Sequence, residues 1–156
     1  MLAKFALSIT LVFSLVLPLS GVADQFGTDS DFVRQAEQSA NQEVADASLA
    51  LKMSSHSDVK QVATNMQRDG NTANRRLATL AVEKGWLSAT SDRPDTASNY
   101  SDHDWVAREI RAQQDAVALY REEAASGADT DLQEFARETL PTLQRNLDSL
   151  RALRSS

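Results

Sequence analysis

The chain has 156 residues, with 16 Lys and Arg against 22 Asp and Glu, a formal net charge of −6 and no cysteine. An acidic chain gains nothing from counterion release, so nucleic acid and anionic membrane surfaces are poor partners. Without cysteine there is neither a disulfide nor thiol chemistry, and stability must come from packing.

The first 23 residues have the parts of a cleavable secretory signal peptide. Lys4 supplies the positive start, Phe5 to Leu17 is an uncharged run of 13 apolar or small residues, and Pro18, Ser20 and Gly21 break it. Gly21-Val22-Ala23 then offers the small residues that a signal peptidase reads. A membrane-spanning helix needs about 20 apolar residues, more than this run supplies. Cleavage after Ala23 removes one charge, that of Lys4, and leaves 133 residues at −7. The expectation is a periplasmic or secreted protein with no stable membrane insertion. Its single domain, 24–156, is large enough for a real core.

Apolar spacing predicts four helices in that domain. The first covers about Ser30 to Met53, with Phe32, Val33, Ala36, Ala40, Val44, Ala47 and Leu51 on one stripe. The second covers about Asp58 to Lys84, along Val59, Val62, Ala63, Met66, Ala73, Leu77, Leu80 and Ala81, with Ser57 as N-cap and Gly85 just past its end. The third runs from about Asp102 to Ser126 on Val106, Ile110, Val117, Tyr120 and Ala124, and Gly127 ends it. The fourth runs from about Asp131 to Leu153 after the cap region Asp129-Thr130-Asp131, carries a leucine-rich stripe, and holds Pro141, where a kink is expected. Strand signals are absent.

The connections predict the topology. Short turns join helices 1 and 2, and helices 3 and 4, so each pair is antiparallel. Leu87 to Tyr100 is long, polar and contains Pro94, enough chain to run the length of a bundle. An all-α four-helix bundle with one long crossover between helices 2 and 3 is the ferritin-like arrangement.

Several polar or small residues fall on or beside the apolar stripes. Glu43 shares a face with Ala36, Ala40 and Ala47; Gly70 lies between Met66 and Ala73; Gln113 lies between Ile110 and Val117; Asn146 flanks the stripe of helix 4. Two readings follow: a polar site inside the bundle, or a hydrogen-bonded polar layer with Gly70 allowing close helix approach. Buried polar groups must be paired in either case, and the layer is the favoured reading. A di-metal centre of the bundle type needs Glu-x-x-His motifs on two helices. The two histidines do not supply them: His56 falls in the first turn and His103 at the start of helix 3, where exposed or capping roles are expected. Ser57-Asp58-Val59-Lys60 matches an acylating-serine pattern without its companion motifs. Asp129-Thr130-Asp131 begins like a calcium loop whose glycine and closing Glu are misplaced, and Asn99-Tyr100-Ser101 fits a glycosylation acceptor. Trp86 and Trp105 are expected near the bundle ends, closing the core.

The stretch from Phe32 to Leu153 resembles the DUF4142 family of exported bacterial bundles. The residues that carry the likeness are Phe32-Val33, Glu43-Val44, Val59-Lys60, Asp69, Ala73-Asn74, Leu77, Asp102, Trp105, Ala116 to Tyr120, Phe135-Ala136 and, most specifically, Thr139-Leu140-Pro141-Thr142-Leu143. The resemblance implies a ferritin-like fold in a bacterial envelope and histidines at three interior positions. This chain has Gly70, Gln113 and Asn146 there, leaving Glu43 and Asp69 of the polar set. The expectation is a non-catalytic binding or structural, stress-related protein of the cell envelope. No catalytic residue, cofactor or metal is assigned to it, and its partner would be an envelope protein or small ligand. The alternative is residual metal binding or redox activity at Glu43 and Asp69, which could hold only a hard cation.

Overall fold

The computed structural model describes residues 22–86 and 100–155. Residues 1–21 of the expected signal segment, Asn99, and 87–99 of the expected crossover lie outside the described residues. Four helices follow in order: α1 (Val22–Met53), α2 (Ser57–Glu83), α3 (Asp102–Ser126) and α4 (Thr130–Ser155). The described residues contain no strand.

The helix ends show how the local sequence sets the elements. At the end of α2, the Gly85 N–H donates to the Val82 carbonyl and the Trp86 N–H to the Ala81 carbonyl, at 3.2 and 2.8 Å. Gly85 has φ +70°, the left-handed conformation this closure requires and glycine adopts freely. At the start of α3, the Ser101 hydroxyl accepts from the Asp104 N–H, and Asp102 and Asp104 place negative charge in the first turn. Asp129 does the same for α4, accepting from the N–H groups of Asp131 and Leu132.

Two details differ from the sequence expectations. The cap position of α2 belongs to His56 rather than Ser57, and no side chain completes that cap. Helix α1 begins eight residues before its predicted start at Ser30, where no proline between 22 and 29 opposes helix. Helix α4 carries Pro141 inside it, within the span the sequence predicted.

Contacts between the ends fix the topology. The α1–α2 turn meets the start of α3: the Ser54 hydroxyl donates to Asp102 at 2.9 Å, and His56 Nδ1 lies 2.6 Å from the same carboxylate. The far end of α2 meets the α3–α4 turn, where Lys84 bridges Asp129 and Asp131. Helix α3 therefore starts at the end where α2 starts, so α2 and α3 run parallel, the ferritin-like arrangement of two antiparallel pairs. Helix α1 packs chiefly on α2 and α3 chiefly on α4, while α1–α3 and α2–α4 contacts are sparser.

The core comes in two blocks. One gathers Phe32, Tyr120, Leu132 and Phe135, with Phe32 and Tyr120 edge to face at 5.1 Å. The other gathers Met66, Trp105, Ile110, Leu147 and Leu150 around a fully buried Trp105. The Trp105 indole N–H donates to the Asp46 carbonyl at 3.1 Å, so the ring is pinned to α1 as well as packed. Between the blocks the apolar packing is interrupted by polar groups.

A polar layer and an acidic groove between α1 and α3

The interruption has a cause on each helix. Glu43 of α1, Gly70 of α2, Gln113 of α3 and Asn146 of α4 are all buried. Glu43, Asp69, Gly70 and Asn146 line one central cavity of about 20 Å³, room for about one water-sized body. Gln113 joins them by a hydrogen bond to the Glu43 carboxyl. Asp69 sits at the margin, partly exposed and paired with Arg68 at 3.0 Å. The three positions where the family resemblance implies histidine therefore fall within this one layer, now occupied by a glycine and two amides. At Gly70 α1 and α2 approach closely: a Cβ there would stand 3.3 Å from the Ala40 carbonyl oxygen.

Buried carboxyls extend outward from the layer. Asp46 follows Glu43 by three residues on α1, and Glu109 precedes Gln113 by four on α3, so each pair shares a helix face. Glu109 is 2% exposed and Asp46 8%. Their carboxyls face each other across the two helices, and a hydrogen bond between them needs a proton on at least one. Burial, reinforced by the charges of Asp46 and Glu43, pushes Glu109 up to about 8. Burial also pushes Glu43 up to about 8; the Gln113 hydrogen bond opposes the rise and Asp69 adds to it. Both groups are thus largely protonated at neutral pH.

Glu43, Asp46, Glu109 and Gln113 form the floor of a groove of about 460 Å³ between α1 and α3. Its walls carry Gln35, Gln38, Gln42 and Asp115 on the polar side and Ala112, Ala116 and Leu119 on the apolar side, with no Lys, Arg or His. Two oxygens at the floor, Glu43 Oε1 and Gln113 Oε1, are buried without a hydrogen-bond partner. Such acceptors cost about 1–3 kcal/mol each when left unpaired.

Asp46 and Glu109 are absent from the residues singled out in the sequence. The signal was present as spacing, since each lies one turn from a residue that was singled out, but no apolar stripe drew attention to it. The other sequence candidates are placed more simply. His103 is exposed, and His56 is exposed on the α1–α2 turn. Ser57 opens α2, far in role from an acylating serine. Among the described residues, no three His, Cys, Asp or Glu side chains converge to hold one metal ion. No described helix is long and apolar enough to cross a membrane.

The chain matches the family described as a domain of unknown function, DUF4142, over residues 18–153. It belongs to the DUF4142 family. No curated protein is significantly similar to it. Among solved structures it is similar to a DUF305 fragment from Deinococcus radiodurans, with a TM-score of 0.71 and 15% identity, covering 82% of this chain and 95% of that one. At that identity the likeness concerns the fold, a helical bundle shared by this DUF4142 member and the DUF305 fragment.

Proposed function

We propose that this DUF4142 protein is an exported, non-catalytic bundle of the bacterial cell envelope that binds a small ligand in the groove between α1 and α3. The supporting observation is the open groove itself, lined by Glu43, Asp46, Glu109 and Gln113, with an oxygen of Glu43 and one of Gln113 buried behind its floor without a hydrogen-bond partner. Buried acceptors that the protein leaves unpaired call for a partner such as a water, an ion or a ligand. Lys4, the apolar run after it and the small residues before Asp24 support export. A carboxyl raised towards neutrality also suits acid–base work. The groove, however, lines these carboxyls with amides and alanines, and no imidazole or basic side chain stands in its wall. That composition suits binding better than turnover.

The test is native mass spectrometry on protein isolated from the envelope, beside an Ala112→Trp variant. Ala112 is exposed on the groove wall, so its replacement fills the groove without touching the core. The expected result is a small-molecule adduct on the wild type that Ala112→Trp lacks. Absence of any adduct overturns the reading. So does a stoichiometric metal lost in Glu43→Ala, which favours metal binding at Glu43 and Asp69.

A further inference from the structure

We infer that Glu123 is a protonation-driven gate over the turn between α3 and α4: as an acid it lies inward against Gly127, and as a carboxylate it swings out into the cleft between α1 and α3. This gate is independent of any ligand in the groove.

The inward place suits a carboxyl without charge. Glu123 is 5% exposed, and its Oε1 is buried without a hydrogen-bond partner. Its carboxyl fills the space that a side chain on Gly127 would need: a Cβ there would stand 2.7 Å from Glu123 Cδ. Two neighbouring carboxylates have donors that hold their charge. Asp29 of α1 accepts from the Ala128 and Asp129 N–H groups. Asp129 accepts from the Asp131 and Leu132 N–H groups and pairs with Lys84 of α2. Glu123 Oε1 has no such donor. A charge on it would be buried, unpaired and close to two others, so of these three carboxyls Glu123 is the one that takes a proton. Burial first, then the charges of Asp29 from α1, Asp129 from the turn and Glu122 from its own helix, push Glu123 up to about 7. Lys84 also reaches the turn, but its charge is divided between Asp129 and Asp131 of α4. Gln133 of α4 is neutral and donates to the Gly127 carbonyl. Asp31 of α1 borders the cleft and is paired with Arg34.

The outward place is already present in the fold. A cleft of about 270 Å³ opens beside Glu123, walled by Phe32 and Gln35 of α1 and by Leu119 and Ser126 of α3. Rotation about the side-chain bonds carries the carboxylate from Gly127 into that cleft and into water. A carboxyl that titrates near 7 inside and at its ordinary 4.5 in water is drawn outward roughly a hundredfold more strongly once it ionises. Two consequences follow from the swing. The turn loses the carboxyl packed on Gly127, so the bonds from Ala128 and Asp129 to Asp29 open more often. Gln35 and Leu119 line both this cleft and the α1–α3 groove, so the new charge stands at the end of that groove.

The experiment is an NMR titration of the purified protein from pH 5 to pH 9 with carbon-13 in its glutamate carboxyls, beside Glu123→Gln and Gly127→Ala. Loss of one signal in Glu123→Gln identifies the Glu123 carboxyl. The expected result is that this carboxyl titrates near 7. A nuclear Overhauser contact from its methylenes to the Gly127 Hα is present at pH 5.5 and lost at pH 8.5. Hydrogen-exchange protection at Ala128 and Asp129 falls about tenfold over the same step. It holds in Glu123→Gln, where the neutral amide stays inward. In Gly127→Ala the added methyl takes the inner place, and Glu123 titrates near its ordinary 4.5. If Gly127→Ala does not fold, the wild type and Glu123→Gln decide between them. A wild-type Glu123 that titrates near 4.5 overturns the inference, as does one whose contact to Gly127 persists at pH 8.5. A Glu123 that still titrates near 7 in Gly127→Ala overturns it as well. So does a loss of protection at Ala128 and Asp129 that is equal in Glu123→Gln.

Discussion

Gly70 of α2 and Val44 of α1 stand so close that a Cβ on the glycine would lie 2.9 Å from Val44 Cγ2. Val44 is β-branched and has one preferred rotamer in a helix, so it has little freedom to move aside. Gly70→Ala therefore sets two effects against each other. Helix propensity gains about 1 kcal/mol, and overpacking costs about 1–3 kcal/mol. Packing wins, and the variant should be less stable by about 1 kcal/mol, a fall of about 3 °C in melting temperature. Thr72→Ala, on the exposed face of the same helix, should change it by less than about 0.5 kcal/mol. A Gly70→Ala variant that melts above the wild type would refute the close approach.

Stability should peak on the acid side of neutrality. Glu43 and Glu109 are raised to about 8 and Glu123 to about 7, each chiefly by burial. The folded state therefore holds more protons than the unfolded chain between pH 4.5 and 8, and stability falls as pH rises through that window. Other carboxyls, Asp102 and Asp129 among them, act in the opposite sense. Burial opposes the charge of Asp102, but Tyr100, His56 and Ser54 outweigh it and hold this carboxyl below its usual range. Asp129 is held down in the same way, with Lys84 and the N–H groups of Leu132 and Asp131 overcoming burial. Their contribution is present above the unfolded value of about 4 and is lost as pH falls. Urea unfolding should show maximal stability near pH 5. Glu109→Gln should flatten the decline towards pH 8, because a neutral amide can still donate to Asp46. An unchanged slope would show that Glu109 is ionised throughout.

Glu43 and Gln113 should behave as a coupled pair. Gln113→Leu removes the partner of a buried carboxyl and should cost about 1–3 kcal/mol. Removing both polar groups together, with Leu at 113 and Met at 43, leaves nothing unpaired and should come close to wild-type stability. A double-mutant cycle read by chemical denaturation should thus show an interaction energy of at least about 1 kcal/mol. Additive losses would mean that the two side chains do not depend on each other.

The fold was legible in the sequence because its elements carry strong signals. Helix α3 runs from Asp102 to Ser126 as its apolar stripe and Gly127 predicted, and the Gly85 closure of α2 was readable from the glycine alone. The crossover topology followed from one long polar connection between two short ones. The site was legible only in part. Gln113 and Asn146 stood out because they interrupt or flank apolar stripes. Glu109 did not, because it borders Ile110 on the flank of its helix, where acidic residues are ordinarily solvated. Its burial depends on α1 lying alongside, a tertiary fact with no local signature. Asp69 illustrates the converse: it precedes Gly70 in the chain, yet the helix turns it towards Arg68 and the margin of the layer.

Asp29 ties the first helix to the opposite hairpin. Its carboxylate is fully buried and accepts from the backbone N–H groups of Ala128 and Asp129, at 2.9 and 2.7 Å. Those amides belong to the turn between α3 and α4, which is nearly a hundred residues away in sequence. Two charge-assisted bonds of this kind are among the stronger ones in a protein. Asp29→Ala strands both donors and should cost about 2–4 kcal/mol. Asp29→Asn keeps one acceptor oxygen and places an amide donor where the other stood, so it should recover only part of that loss. The readouts are global melting and amide hydrogen exchange at Ala128 and Asp129. Exchange at these two positions should rise further than the loss of global stability accounts for, because the bonds that protect them are local. Unchanged protection in Asp29→Ala would show that the turn is held by the Lys84 bridge and the Asp129 cap alone.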